Sequence, residues 1–132
     1  MESKTLRILL TKAEQDCHDR GVRYIATKLR EAGYEVIYTN FLYPEEIVNT
    51  AIQEDVDVIG LSSSTLGHIP ALRYVNNGLR EEGREDVLVI VGGIIPDDDV
   101  DTLRQMGIYG VFGPGSTAGE IVDFIKQKVG RA

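Results

Sequence analysis

A short polar segment near the start of the chain carries the side chains with the clearest capacity for chemistry. Asp16, His18 and Gly21 stand in the spacing Asp-x-His-x-x-Gly. A neutral imidazole is a good ligand for a transition metal, and a carboxylate often holds its second ring nitrogen. Asp16 can reach His18 within a loop, and Lys12 could orient Asp16. A single imidazole does not hold a bare ion well, however, so taken alone the pattern fits an exposed loop histidine better.

Five short apolar runs predict the strands that would position this segment. They are Leu6 to Thr11, Glu35 to Thr39, Val56 to Ser62, Val87 to Val91 and Gly110 to Phe112. Their nearly continuous Ile, Val and Leu content indicates strands that are covered on both faces, as in a parallel sheet. Between and after these runs, apolar residues recur at three- and four-residue spacing, which predicts five amphipathic helices.

The helix ends carry signals of their own. Pro44 is placed for a first helical turn, and Gly33, Gly83 and Gly107 fall where helices end in a left-handed residue. Strand and helix therefore alternate five times. This order predicts an α/β fold: a doubly wound, five-stranded parallel sheet of the flavodoxin-like (Rossmann-like) type, with strand order 2-1-3-4-5.

Length and composition limit the possible partners. The chain has 132 residues, the size of a single domain spanning 1–132, and its 14 Lys and Arg against 21 Asp and Glu give a net charge of −7. That excess argues against a nucleic-acid or anionic-membrane partner. No apolar run approaches about 18 residues, no signal peptide is visible, and the single Cys17 excludes an internal disulfide. We expect a cytoplasmic protein.

The loops that follow the predicted strands are rich in small residues. Ser62 opens a hydroxyl-rich run, Gly92 and Gly93 follow the fourth strand, and Gly113-Pro-Gly-Ser116 follows the fifth. Ligands of such sheets bind beyond the carboxyl ends of the strands, and small residues let a ligand approach the backbone closely. We therefore predict a ligand cleft at this edge.

Three common ligand sites of this fold are missing from the sequence. Residues 12–21 contain no Gly-x-Gly-x-x-Gly for a dinucleotide, and they are charged where a flavin phosphate loop would be rich in Ser, Thr and Gly. A phospho-acceptor domain would end its third strand in Asp and its fifth in Lys, whereas Ser62 and Gly113 stand here.

Three signatures together resemble a known family. Asp16-Cys-His18-Asp-Arg-Gly21, the serine of a Ser-x-Leu signature at Ser62, and Gly92-Gly93 are similar to the cobalamin-binding domain of adenosylcobalamin-dependent acyl-CoA mutases, of the methylmalonyl-CoA mutase type. The resemblance covers roughly residues 6–127. Ser64 replaces the leucine of Ser-x-Leu, and Glu14 and Cys17 stand where these mutases usually have glycine.

The resemblance implies a cofactor site. His18 would bind cobalt from below in place of the cofactor's own base (the base-off form), Asp16 would hydrogen-bond the imidazole, and Lys12 would lie behind it, so that Asp16 and Lys12 are the candidate catalytic residues. The displaced nucleotide tail would enter a slot between the sheet and the first helix. The implied cofactor-binding residues are Asp16, His18, Asp19, Arg20, Gly21, Ser62, Ser64, Gly92, Gly93, Gly113, Gly115 and Ser116.

The resemblance also implies a function. The chain would be the small, cobalamin-binding subunit of a two-chain acyl-CoA mutase, active only with a large TIM-barrel subunit that binds the acyl-CoA. Methylmalonyl-CoA isomerisation is the default reaction, with isobutyryl-CoA or 2-hydroxyisobutyryl-CoA mutase as alternatives. A corrinoid carrier for methyl transfer and a sensing module are less expected, because they would need a helical cap or an output domain. The glutamate mutase small subunit fits His18-Asp-Arg-Gly21 less well.

Overall fold

The computed structural model describes residues 5–13, 20–63, 68–113 and 116–129. Five strands alternate with five helices in these segments, as the sequence predicts. Their bounds are β1 Arg7–Ala13, α1 Arg20–Glu31, β2 Glu35–Phe41, α2 Pro44–Gln53, β3 Val58–Ser63, α3 His68–Glu81, β4 Leu88–Gly93, α4 Asp97–Gln105, β5 Gly110–Phe112 and α5 Ala118–Lys128.

The strands form one parallel sheet in the order β2-β1-β3-β4-β5, which confirms the predicted fold class and strand order. Helices cover both faces because the strands are apolar on both. One core cluster packs α2, α3 and α4 against the sheet around Leu72, Val75 and Leu103. The second packs α1 and α5 around Val22, Leu29 and Ile125. The sheet therefore separates two helical layers.

The predicted helix ends are confirmed. Pro44 opens α2, and Gly33, Gly83 and Gly107 follow helices with φ values of 100°, 70° and 89°. At α5 the Thr117 hydroxyl accepts a hydrogen bond from the backbone N–H of Glu120.

None of the described helices is long and apolar enough to cross a membrane.

Several strand bounds differ from the sequence prediction by one or two residues, and three of them bear on the site. β1 runs to Ala13, so Lys12 lies inside a strand rather than in the following loop. β3 runs one residue further, to Ser63, and β4 includes Gly92 and Gly93. The polar or flexible character of these residues predicted loops, but each continues the parallel pairing of its neighbours.

The close approach of β4 to β3 requires glycine at position 93. Gly93 has φ of 119°, and a Cβ built there would collide with the carbonyl oxygen of Ser63. We expect Gly93→Ala to lower the free energy of unfolding by about 2 kcal/mol or more, because a strained backbone and an overpacked contact add together. Urea unfolding measures the loss. Gly113→Ala is the matched control: its Cβ would meet nothing within 4 Å, so a comparable loss there would contradict the explanation.

Candidate functional site

A cleft of about 810 Å³ opens at the carboxyl end of the sheet, on the face covered by α1 and α5. Its walls come from these two helices and its floor from β1, β3, β4 and β5. The sequence-predicted residues that line it are Gly21, Ser62, Gly92, Gly93, Gly113 and Ser116. The structure thus brings together residues from four separate parts of the chain.

Strand register explains why these residues meet. Lys12 pairs with Ser62, Ser62 with Gly92, and Gly92 with Phe112, so that the four residues form a row across the sheet. Register partners in a parallel sheet point to the same face, and the preceding row on this face begins with Leu10 of the α1–α5 core. Lys12, Ser62, Gly92 and Phe112 are hereafter the upper row, and the last three of them line the cleft.

The glycines of the cleft have different reasons for being glycine. A Cβ on Gly92 would lie 3.5 Å from the nearest protein atom, the carbonyl oxygen of Phe112, and a Cβ on Gly21 or Gly113 would meet nothing within 4 Å. Their missing side chains therefore leave open space. Gly93 is different, since its missing side chain is required by the contact with Ser63. Both glycines line the cleft, but only at Gly92 would a Cβ extend into open space.

The remaining surface of the cleft is mostly apolar. Ile25, Ile90 and Ile121 line its depth, while Tyr24 and Ile94 stand at its walls with 55% and 62% of their surface exposed. Phe112 is held edge-on against Phe124 of α5, with ring centroids 5.6 Å apart. An apolar slot with a few hydroxyls suits a flat aromatic group that carries one or two polar atoms.

Lys12 is buried, not a surface lysine. Only 4% of its surface is exposed, and its ammonium group donates a hydrogen bond to the carbonyl oxygen of Ala13 at 3.3 Å. A charged side chain is rarely this buried without further partners, and Lys12 does have interactions beyond this one. It lies beside Ser62 at the end of the strand that leads into the Asp16–His18 segment.

Several predicted residues lie outside the part of the chain that the structure describes. These are Glu14, Asp16, Cys17, His18, Asp19, Ser64 and Gly115. Arg20 and Gly21 begin α1 directly after the undescribed segment 14–19, so the segment leads from the carboxyl end of β1 to the wall of the cleft.

The sequence interpretation missed a buried polar cluster on the opposite face of the sheet. His68 is 4% exposed, its Nδ1 lies 3.1 Å from the Ser63 hydroxyl, and its Nε2 lies 2.7 Å from Asp99. His68 is the first residue of α3. Asp99 had no signal of its own, because it is one of three consecutive aspartates in the first turn of α4.

Comparison with known proteins agrees with this geometry. The sequence model described as the B12 binding domain matches residues 6–123. The chain belongs to the B12-binding domain family. It is 41% identical over 130 residues to the 2-hydroxyisobutanoyl-CoA mutase small subunit of Aquincola tertiaricarbonis, covering 98% of this chain and 96% of that one.

Two further relatives extend the comparison. The methylmalonyl-CoA mutase of Cereibacter sphaeroides is 41% identical over 131 residues, which cover 96% of this chain but only 18% of that larger protein. A solved structure of a cobalamin-binding protein from Desulfitobacterium hafniense has the same fold, with a TM-score of 0.78 and 24% identity over 96% of this chain and 60% of that one. The resemblance to B12-binding mutase domains is confirmed.

The described residues fit a B12 nucleotide tail. The cleft is open on the side where the glycines lack side chains, it has an apolar lining for an aromatic base, and it offers the Ser62 hydroxyl for hydrogen bonding. The first turn of α1 at Gly21 also lies at the wall, and the backbone N–H groups of a first helical turn, which have no partner within the helix, favour an anion such as a phosphate.

Filling the open space at Gly92 tests this fit. A Cβ there meets no protein atom closer than 3.5 Å, so we expect Gly92→Ala to fold normally and to bind cobalamin at least about tenfold more weakly, because the methyl group occupies the floor of the cleft. Titration followed by the visible spectrum measures the affinity. Gly119→Ala on α5 adds the same group outside the cleft lining and should bind normally. Equal affinities for the two variants would contradict the placement.

Proposed function

We propose that this protein is the small, B12-binding subunit of an adenosylcobalamin-dependent acyl-CoA mutase. In this proposal His18 binds cobalt in the base-off form and the nucleotide tail lies in the cleft. The observation that carries it is the cleft itself, which lies at the carboxyl edge of the sheet with Ser62, Gly92 and the start of α1 around it. The match to a mutase small subunit along nearly the full length of both chains supports it.

The histidine count supports His18 as the cobalt ligand. The sequence contains two histidines, His18 and His68. Both ring nitrogens of His68 lie within hydrogen-bond distance of protein groups, and the ring is buried on the face of the sheet away from the cleft. His68 therefore has no nitrogen left for a metal. Among the described residues, no three His, Cys, Asp or Glu side chains come together as a metal site.

The other predicted residues take roles that follow from their positions. Ser62 would hydrogen-bond the ring nitrogen of the base, and Gly92 would admit the flat ring. Gly93, Gly113 and Ser116 would line the far part of the slot. For Arg20 and Gly21 we propose contact with the phosphate end of the tail through the first turn of α1.

The residues around His18 complete the proposed site. Asp16 would accept a hydrogen bond from the second nitrogen of the imidazole, as carboxylates do for metal-bound histidines. Buried Lys12 would in turn hold Asp16. Asp19, Ser64 and Gly115 are proposed as further cofactor contacts. When bound, adenosylcobalamin supplies a cobalt–carbon bond whose homolysis starts radical rearrangement chemistry. The chain's own part is to fix the axial ligand and to bury the tail.

The substrate belongs to a partner in this proposal. A large subunit, proposed to be a TIM barrel, would bind the acyl-CoA and cover the carboxyl edge of the sheet. Methylmalonyl-CoA is the default substrate, and 2-hydroxyisobutanoyl-CoA is favoured as the alternative by the full-length match to that mutase's small subunit. Cytoplasmic localisation and a single domain over residues 1–132 stay predictions.

Cobalt ligation by His18 can be measured directly. We expect bound cobalamin to keep the visible spectrum of a cobalt with a lower nitrogen ligand, because the His18 imidazole replaces the displaced base. We expect His18→Ala to lose that nitrogen-ligated spectrum, because no other imidazole can reach the metal. In protein labelled with nitrogen-15 only at histidine, the electron paramagnetic resonance spectrum of bound cob(II)alamin should show a changed nitrogen splitting. His68→Asn is the control and should keep the label-dependent splitting. Splitting that is insensitive to the label would contradict the proposal.

Dependence on a large subunit separates a mutase subunit from a stand-alone carrier. We expect no acyl-CoA isomerisation by this chain alone with adenosylcobalamin, and isomerisation once a compatible large mutase subunit is added. Chromatographic assay of methylmalonyl-CoA, isobutyryl-CoA and 2-hydroxyisobutyryl-CoA would identify the substrate. Methyl transfer to a thiol by the chain with methylcobalamin and a methyltransferase, without any isomerisation, would instead indicate a carrier.

A further inference from the structure

The buried cluster of Asp99, His68 and Ser63, hereafter the His68 network, has a defined arrangement of hydrogens. A carboxylate can only accept, so the 2.7 Å contact between Asp99 and the ring requires a hydrogen on Nε2. In the neutral imidazole Nδ1 is then an acceptor, and the Ser63 hydroxyl donates to it across 3.1 Å. The carboxylate thus fixes the tautomer of the ring, and the ring fixes the direction of the hydroxyl.

Ser63, the last residue of β3, is held through both its side chain and its main chain. The hydroxyl of Ser63 is held by His68, and its carbonyl oxygen accepts a hydrogen bond from the backbone N–H of Ile94 at 2.9 Å. Asp99 lies in the first turn of α4 and His68 is the first residue of α3. One chain of contacts therefore joins the starts of two helices to the last residue of β3.

The cleft lies on the other face of the sheet. Of the described residues, those lining it come from β1, β3, β4, β5, α1, α5 and the adjoining loops, and none from α3 or α4. Successive side chains of a strand alternate between faces, so Ser63 points to His68 while Ser62 points into the cleft. Fixing Ser63 consequently fixes the direction in which Ser62 presents its hydroxyl.

We propose that Asp99, His68 and Ser63 are positioning residues for cobalamin, acting through Ser62. The proposal rests on the proposed function, in which Ser62 hydrogen-bonds the nucleotide tail. None of the three residues needs to touch the cofactor for this role. They hold the carboxyl end of β3 in the conformation that receives the tail, so that little ordering is left to occur on binding.

A double-mutant cycle on cobalamin affinity tests this role. We expect Asp99→Asn to weaken binding about tenfold, and Ser62→Ala by a similar factor, because each removes about one hydrogen bond's worth of affinity. The double variant should bind about as weakly as Ser62→Ala alone, since Asp99 acts only through that hydroxyl. Asp98→Asn, an exposed neighbour in the same helical turn, is the control and should bind like the native protein.

The outcomes separate this inference from the proposed function. Losses that multiply in the double variant would show a general structural role for Asp99 and overturn the inference, while a nitrogen splitting of bound cob(II)alamin that depends on the histidine label leaves the proposed function standing. A splitting in the native protein that is insensitive to the histidine label would overturn both. If circular dichroism shows that Asp99→Asn fails to fold, Ser63→Ala takes its place in the double-mutant cycle. It should show the same loss and the same lack of further effect with Ser62→Ala.

Discussion

The parallel register at the carboxyl end of the sheet is the constraint on which the site depends. It places Lys12, Ser62, Gly92 and Phe112 side by side although they are spread over a hundred residues of sequence. The preceding row on the same face is apolar and tightly packed, because Gly60 lies under Leu10 and Gly110 lies against Ile90 and Phe124. The sheet therefore passes from core to binding surface within two residues. A slip of one residue in β3 would turn the Ser62 hydroxyl away from the cleft.

The two faces of the sheet differ at its carboxyl edge: one is packed core, and the other opens into the cleft. On the α2–α3–α4 face the core is continuous and reaches the carboxyl edge, where the His68 network joins it. On the α1–α5 face the core stops short of that edge and the cleft begins. Ser62 faces the cleft, and Ser63 faces the opposite side, where it contacts His68. Of the adjacent glycines, Gly92 borders the open space of the cleft and Gly93 packs against Ser63. The packed face therefore supports, from behind, the strands whose other face is open.

Much of this arrangement could be predicted from the sequence, and the exceptions have physical causes. Strand order and helix caps follow from apolar periodicity and from glycines such as Gly33, which are local signals. The ends of β1 and β4 could not be placed, because a lysine and a glycine pair favour loops locally and it is pairing with the neighbouring strands that keeps them extended. Nor could Asp99 be distinguished from its two neighbours, since the rotation of α4 on the sheet decides which aspartate faces His68.

An open apolar cleft lowers the folding stability of a protein of this size. This loss couples the binding of the cofactor to folding. The apolar side chains that line it, among them Ile25, Ile90 and Ile121, lose packing partners wherever the cleft is empty. A ligand that fills the space binds only the folded chain and so stabilises it in proportion to the logarithm of its concentration over its dissociation constant. In the proposed site, the aromatic base of the cofactor would supply the packing that the missing side chain at Gly92 leaves out. Affinity and folding stability are thus coupled through the same open space above the upper row.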